Sequence, residues 1–207
     1  KIGELSLPDV KLLPEETYPT EGKGSVSGTE VGQLETEAGE KIVWKEMTFS
    51  LEIFELSSLG PMLLTLSDAR EKNGTGGTCA TTGDPAGVVL IPSEWHVIDT
   101  STSPLTVALL VLFKEAAITC SKQTVKLRGP VILKVEKVTS GMDITSFGLV
   151  SNCTAKGKQE LTGYLNDEGT TINGVLSEVR GGKGEASCMR LSLELVVGTS
   201  KMIAVSF

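Results

Sequence analysis

Apolar and polar residues alternate most clearly in "KIVWKEMTFSLEIFEL", residues 41–56. Val43, Met47, Phe49, Leu51 and Ile53 fall on one face, with Lys45 the exception, while Thr48, Ser50 and Glu52 fall on the other. A period of two predicts a half-buried β-strand. The same period recurs in "QTVKLRGPVILKVEKV", where Val131, Leu133 and Val135 alternate with Ile132, Lys134 and Glu136. Gly129-Pro130 interrupts it, a place for a bend or bulge. "LTVALLVLF", Leu105 to Phe113, is apolar without alternation. It is too short to cross a bilayer as a helix and reads as a strand buried on both faces, with a short buried helix as the rival reading. "KIGELSLPDVKLLPEE" opens the chain with Leu5 and Leu7, then Val10 and Leu12, each set alternating with polar neighbours. Pro8 interrupts this segment and Pro14 ends it.

Between these segments the punctuation is Gly-rich. "EETYPTEGKGSVSGTEVG" reads as a linker leading into a short polar strand. "GPMLLTLSD", "AGVVLIPSEWHVIDT", "AAITC", "SFGLVSNC", "SCMRLSLELVV" and "KMIAVSF" supply further strands. Asn73-Gly74 and the "NDEG" of Asn166–Gly169 mark hairpin turns. No segment carries a sustained helical period with caps. About a dozen short strands between turns predict an all-β fold: an antiparallel β-sandwich or partly closed barrel, as one domain or two packed β subdomains. Residues 1–20 form an N-terminal strand and linker, and 21–207 the β domain, with a division placed near 101–104.

Composition narrows the partners. Of 207 residues 40% are hydrophobic, enough for a core. Aromatics are only 4%, so Val, Leu, Ile and Ala must build it. The net charge of −7 argues against nucleic acid and anionic membranes, both of which need clustered Lys and Arg. Cys79, Cys120, Cys153 and Cys188 are widely spaced with no CxxC pair, which gives a zinc site little support. Their even number suits two disulfides in an oxidising compartment, in any of three connectivities. A start other than Met fits a removed signal peptide, or equally a trimmed chain.

From about Gly22 onward the chain resembles a group of uncharacterised secreted β-rich bacterial proteins. The segments that carry the likeness are "EVGQLETEAGEK", "ELSSLGP", "SEWHVIDTSTSPLT", "GKQELTGYLNDEG" and "TSKMIAVSF". The resemblance implies export and a β-rich chain with spaced cysteines, and it implies no activity or ligand.

No motif names a reaction. His96 is the single histidine, and in "SEWHVID" it shares a strand face with Glu94, opposite Trp95 and Val97, with Asp99 at odd spacing. A Ser/His/Asp hydrolase needs this inventory, but no G-x-S-x-G elbow accompanies it. Glu94, Asp99, Asp143 and Glu160 are candidates for a carboxylate pair of a glycoside hydrolase. Trp44, Trp95, Tyr18 and Tyr164 make a sparse aromatic supply for a sugar surface. Asp167 and Glu168 belong to no DxDxDG loop, and "NGTGGT" lacks the Lys-Ser/Thr of a phosphate loop. Asn73-Gly-Thr75 and Asn152-Cys-Thr154 match the glycosylation pattern. The terminal "KMIAVSF" has the look of an outer-membrane closing strand, but too few aromatics are present for the girdles such barrels carry.

What remains is an apolar N-terminal strand on a linker. That is the equipment of strand exchange, in which a strand completes a neighbour's sheet through main-chain hydrogen bonds. The expectation is a secreted, non-enzymatic structural subunit that forms a homo-oligomer or polymer, with no cofactor, small-molecule ligand or membrane span. Leu5, Leu7, Val10 and Leu12 are its candidate interface. A monomeric extracellular binding module and an extracellular hydrolase are the alternatives.

Overall fold

The computed structural model describes residues 9–12, 20–53, 59–72, 76–99, 107–121, 123–136, 143–144, 146–155, 158–159, 176–180, 183–197 and 203–206. Among them are sixteen strands and no helix. In chain order these are β1 (Asp9–Leu12), β2 (Thr20–Thr36), β3 (Lys41–Ile53), β4 (Leu59–Ser67), β5 (Arg70–Glu71), β6 (Cys79–Thr81), β7 (Val89–Asp99) and β8 (Val107–Cys120). They continue with β9 (Gln123–Glu136), β10 (Asp143–Ile144), β11 (Ser146–Ser151), β12 (Cys153–Ala155), β13 (Lys158–Gln159), β14 (Leu176–Arg180), β15 (Lys183–Val197) and β16 (Ile203–Ser206).

The sheet closes into an antiparallel barrel. β2, β3, β4, β7, β8 and β9 pair in succession, and β15 pairs back onto β2. The eighth stave, between β9 and β15, is shared by two short strands. β11 lies against Lys134–Glu136 of β9 and Leu191–Val196 of β15. β14 lies against Val125–Arg128 of β9 and Lys183–Ser187 of β15. The chain thus enters this stave from one end, leaves it at Asn152, and returns to finish it at Leu176. Two other relays extend long staves: β6 takes over from β7 along β8, and β5 takes over from β4 along β3. A closed barrel has no open edge in its wall. The division expected near 101–104 falls outside the described residues. The strands on either side of it, β7 and β8, pair from Ser93↔Phe113 to Asp99↔Val107 within this one barrel.

Aliphatic alternation fills the interior, including Leu64 and Leu66 on β4, Ile91 on β7, Val111 on β8 and Leu133 on β9, with Phe49, Trp44 and Trp95 as its bulkiest members. Each Trp lies over a glycine that is its register partner on the adjacent strand: Trp44 over Gly32, Trp95 over Gly60. A Cβ on Gly32 would sit 2.4 Å from the Trp44 ring, and one on Gly60 would sit 2.5 Å from the Glu52 carbonyl oxygen. The flat indoles need this absence of a side chain. Trp95 Nε1 donates to that same carbonyl at 3.0 Å, which satisfies its buried N–H.

Four expectations change here. In β3 the alternation slips at Lys45–Glu46, where Ser27 pairs with Glu46 but Gly32 pairs with Trp44. The slip brings Ile42 and Trp44 into the core with Met47, Phe49 and Leu51, and turns Val43 outward, where it is still fully buried. In β8 the apolar run is buried on one face along most of its length: Leu109, Val111 and Phe113 point inward, while Leu112 is 38% exposed. The bulge suggested at Gly129-Pro130 is carried by the partner strand. β8 spends Lys114 and Glu115 opposite Arg128 alone, so "AAITC" continues β8. "EGKGSVSGTEVG" is no linker but most of the 17-residue β2. Gly22 and Gly24 are the inward positions where it begins, buried opposite Leu51 and Phe49. Glycines carry no hydropathy signal, so this inward face was silent.

A testable electrostatic detail sits on the outside of the β2–β3 pair. Ser50 Oγ donates to Glu21 at 2.7 Å, and Lys23 Nζ lies 3.4 Å from the same carboxylate. The Ser50 hydrogen bond, with help from Lys23, holds the Glu21 carboxyl below its ordinary value. A carboxylate depressed in the folded state stabilises above its unfolded pKa, and that contribution fades as pH falls through the folded value. Ser50→Ala is expected to raise the Glu21 pKa in a carboxyl-carbon NMR titration. An unchanged titration would mean that Ser50 is not the cause.

Candidate functional site

The first and last described strands meet. β1 pairs antiparallel with β16 from Asp9↔Ser206 to Leu12↔Ile203, and β10 pairs with the other side of β16 at Asp143↔Ala204 and Ile144↔Ile203. The three form a sheet of their own, order β1-β16-β10, with no ladder to the barrel. The register puts Val10, Leu12, Ile203, Val205 and Ile144 at positions of one face. These are all aliphatic, and the other face receives Lys11, Ala204 and Asp143. Thr20 and Val197, from which the connections to β1 and β16 leave, belong to the same end of the barrel, since Val197 pairs with Gly22.

So small a sheet gains little from its own pairing and needs its apolar face covered to persist. Among the described residues its outer strands, β1 and β10, each keep one unladdered side, in contrast to the barrel staves. Of the candidate interface residues, Val10 and Leu12 lie in β1, opposite Val205 and Ile203. Leu5 and Leu7 lie outside the described residues. β16 is the partner that sequence reasoning missed. It was read as an ordinary last strand, and four residues of alternation contain nothing that names a mate.

The cysteines pair in sequence order, Cys79–Cys120 and Cys153–Cys188. Cys79 and Cys120 are also register partners of β6 and β8 and are fully buried in the core. Cys153–Cys188 ties the excursion that follows β11 to β15, beside the break in the shared stave. Disulfides of this kind are compatible with an extracellular or otherwise oxidising location.

The chemical constellations are only partly assembled. Glu94 and His96 do share the outer face of β7, with Nε2 3.0 Å from Glu94 Oε1 but outside hydrogen-bond alignment. Their register neighbours are Pro61 and Leu112 for Glu94, and Leu59 and Leu110 for His96. None of these is a nucleophile. Ser93 points the other way, into the barrel, where its hydroxyl donates to the Ile91 carbonyl. Asp99 ends β7 opposite Val107, and Asp143 belongs to the terminal sheet. Glu160, Asp167, Glu168 and the Asn73 sequon lie outside the described residues, as do Tyr18 and Tyr164. Asn152 of the second sequon is exposed. Among the described residues no three His, Cys, Asp or Glu side chains converge as a metal site, and no helix is long and apolar enough to cross a membrane. Comparison with protein-family models, with curated proteins and with solved structures finds no match to the chain, and nothing in them links it to a group of secreted bacterial proteins.

Proposed function

We propose that the protein is a secreted structural subunit that self-assembles by exchanging β1 between copies, each β1 completing the β1-β16-β10 sheet of a neighbour. The observation that carries this reading is the terminal sheet. It is the part of the described chain where both ends of the fold are joined by a short, exchangeable ladder. The pairing of Asp9–Leu12 with Ile203–Ser206 keeps the same hydrogen bonds whether made within a chain or between chains. Exchange of an identical element is therefore a low-cost route to association. The closed barrel supplies a rigid body, and the two disulfides hold it together outside the cell.

The connections to β1 and to its acceptor β16 leave from one end of the barrel, which constrains the product. Reciprocal exchange closes a two-fold dimer, and non-reciprocal exchange leaves an open chain that grows into a filament. Light scattering across a concentration series, paired with negative-stain imaging, tests the proposal. Full-length protein is expected to show concentration-dependent assembly, and a variant lacking residues 1–16 is expected to stay monomeric with its β-sheet circular dichroism retained. Full-length protein that is monomeric at every concentration would end the proposal.

A further inference from the structure

The barrel wall opens between β2 and β15. Leu191 pairs with Gly32 and Leu195 with Gly24, so residues 25–31 of β2 span the interval that 192–194 of β15 span. On its other side β2 sets residues 28–31 against Lys45 alone. The surplus residues form a wide bulge, a device that recurs beside functional sites. Lys72, which follows β5, holds Glu30 of the bulge at 2.9 and 3.1 Å. That contact draws the bulge toward β3 and β5, away from β15.

The result is a cleft of about 310 Å³ on the outer surface. Glu30, Val31 and Gln33 line one side, Arg190 and Ser192 the other, and Val150 and Asn152 close its end. Arg190 is exposed and makes no hydrogen bond or ion pair among the described residues. Of the nearby acids, Glu30 is paired with Lys72, and Glu35 accepts the Gln33 amide at 3.3 Å and keeps its charge. The cleft therefore offers a planar cation with a fork of N–H donors, two neutral polar side chains in Asn152 and Ser192, and two aliphatic walls in Val31 and Val150. A guanidinium fork matches a carboxylate in a bidentate pair.

We propose that this cleft binds an acidic peptide, with an Asp or Glu carboxylate seated on Arg190. No aromatic ring lines it, so the apolar face of a sugar would find no platform there. Its volume, at the low end for ligand sites, suits one or two residues. The inference is independent of strand exchange.

The test is an amide NMR titration of the full chain with acetyl-Ala-Asp-Ala-amide, with its Asn counterpart and with glucuronate. The Asp peptide is expected to shift the amides of Val31, Arg190 and Ser192. The Asn peptide should bind roughly tenfold more weakly, because the charge-assisted pair is lost. Arg190→Ala should weaken the Asp peptide by about the same factor while leaving the remaining amides in place, and Arg190→Lys should recover part of it. The proposal is overturned by equal binding of the Asn peptide, by shifts confined to other residues, by an unchanged affinity in Arg190→Ala, or by glucuronate binding at least as tightly.

Discussion

Reducing both disulfides is expected to cost about 8 kcal/mol of folding stability, roughly 4 for each bridge, on the loop-closure estimate. The bridges close sequence separations of 41 and 35 residues, so their entropic contributions are nearly equal. The sum is comparable with the whole stability of a typical domain, about 5–15 kcal/mol. The reduced protein should therefore be marginal or unfolded at physiological temperature. The two bridges act on different weaknesses. β6 has three residues; besides its ladder to β8, Cys79 N–H donates to the Ala69 carbonyl and Thr81 N–H to the Val88 carbonyl, and Cys79–Cys120 adds a covalent tie to this short strand. Cys153–Cys188 stands where the shared stave breaks. There the wall is otherwise held by Ser151 Oγ, which donates to the Met189 carbonyl at 2.8 Å. Thermal denaturation of the double variants Cys79→Ala/Cys120→Ala and Cys153→Ala/Cys188→Ala checks each contribution. Each is expected to lower Tm by about 8–16 °C for a chain of this size. A change of only a degree or two would mean that the bridge does not restrain the unfolded chain as supposed.

The second large effect concerns the glycines beneath the tryptophans. Gly32→Ala and Gly60→Ala are each expected to destabilise by about 2–3 kcal/mol, because overpacking a closed interior forces neighbours off their minima. At Gly60 the new methyl meets the Glu52 carbonyl and Trp95 Nε1 together, so the variant also threatens the hydrogen bond between them. At Gly32 the three nearest atoms all belong to the Trp44 ring, which is fully buried and has nowhere to retreat. A double-mutant cycle separates these causes. Gly32→Ala should cost well under 1 kcal/mol in a Trp44→Ala background, since the collision partner is gone. Gly60→Ala should stay costly in a Trp95→Ala background, because the carbonyl remains. Equal residual costs at the two sites would contradict this account.

These two glycines also show where the chain is legible and where it is not. Alternation over Met47, Phe49 and Leu51 predicts a half-buried strand, and the strand is there. The i, i+2 spacing of Glu94 and His96 puts them on one face, and they meet. The all-β class follows from such local periods. The bulge at Lys45–Glu46 reverses the face of Val43 and Trp44, and no local period announces it, because a bulge is set by the neighbouring strand. β2 was hard to read for the same reason as Gly32 and Gly60: three of its inward positions, Gly22, Gly24 and Gly32, are glycines opposite bulky side chains of β3, and only Val26 and Leu34 give an apolar signal. The shared stave depends on two segments 25 or more residues apart finding the same pair of strands, a non-local outcome. The cleft at Arg190 arises from a mismatch of registers, so "CMRLSL" reads only as an alternating strand. The disulfide connectivity stayed open among three choices because it too is decided by the fold.

The measurement closest to the central proposal is a cysteine cross-link between Val10 and Val205, which are register partners in the β1–β16 ladder. The four native cysteines are all paired, so the added pair is free to report. After oxidation of Val10→Cys/Val205→Cys at concentrations where assembly is seen, non-reducing electrophoresis separates the outcomes. Strand exchange predicts covalent dimers and higher species that vanish on reduction, and a mixture of the two single variants should give only dimers. A product that is wholly monomeric and internally cross-linked at every concentration would contradict exchange and assign β1 to its own chain.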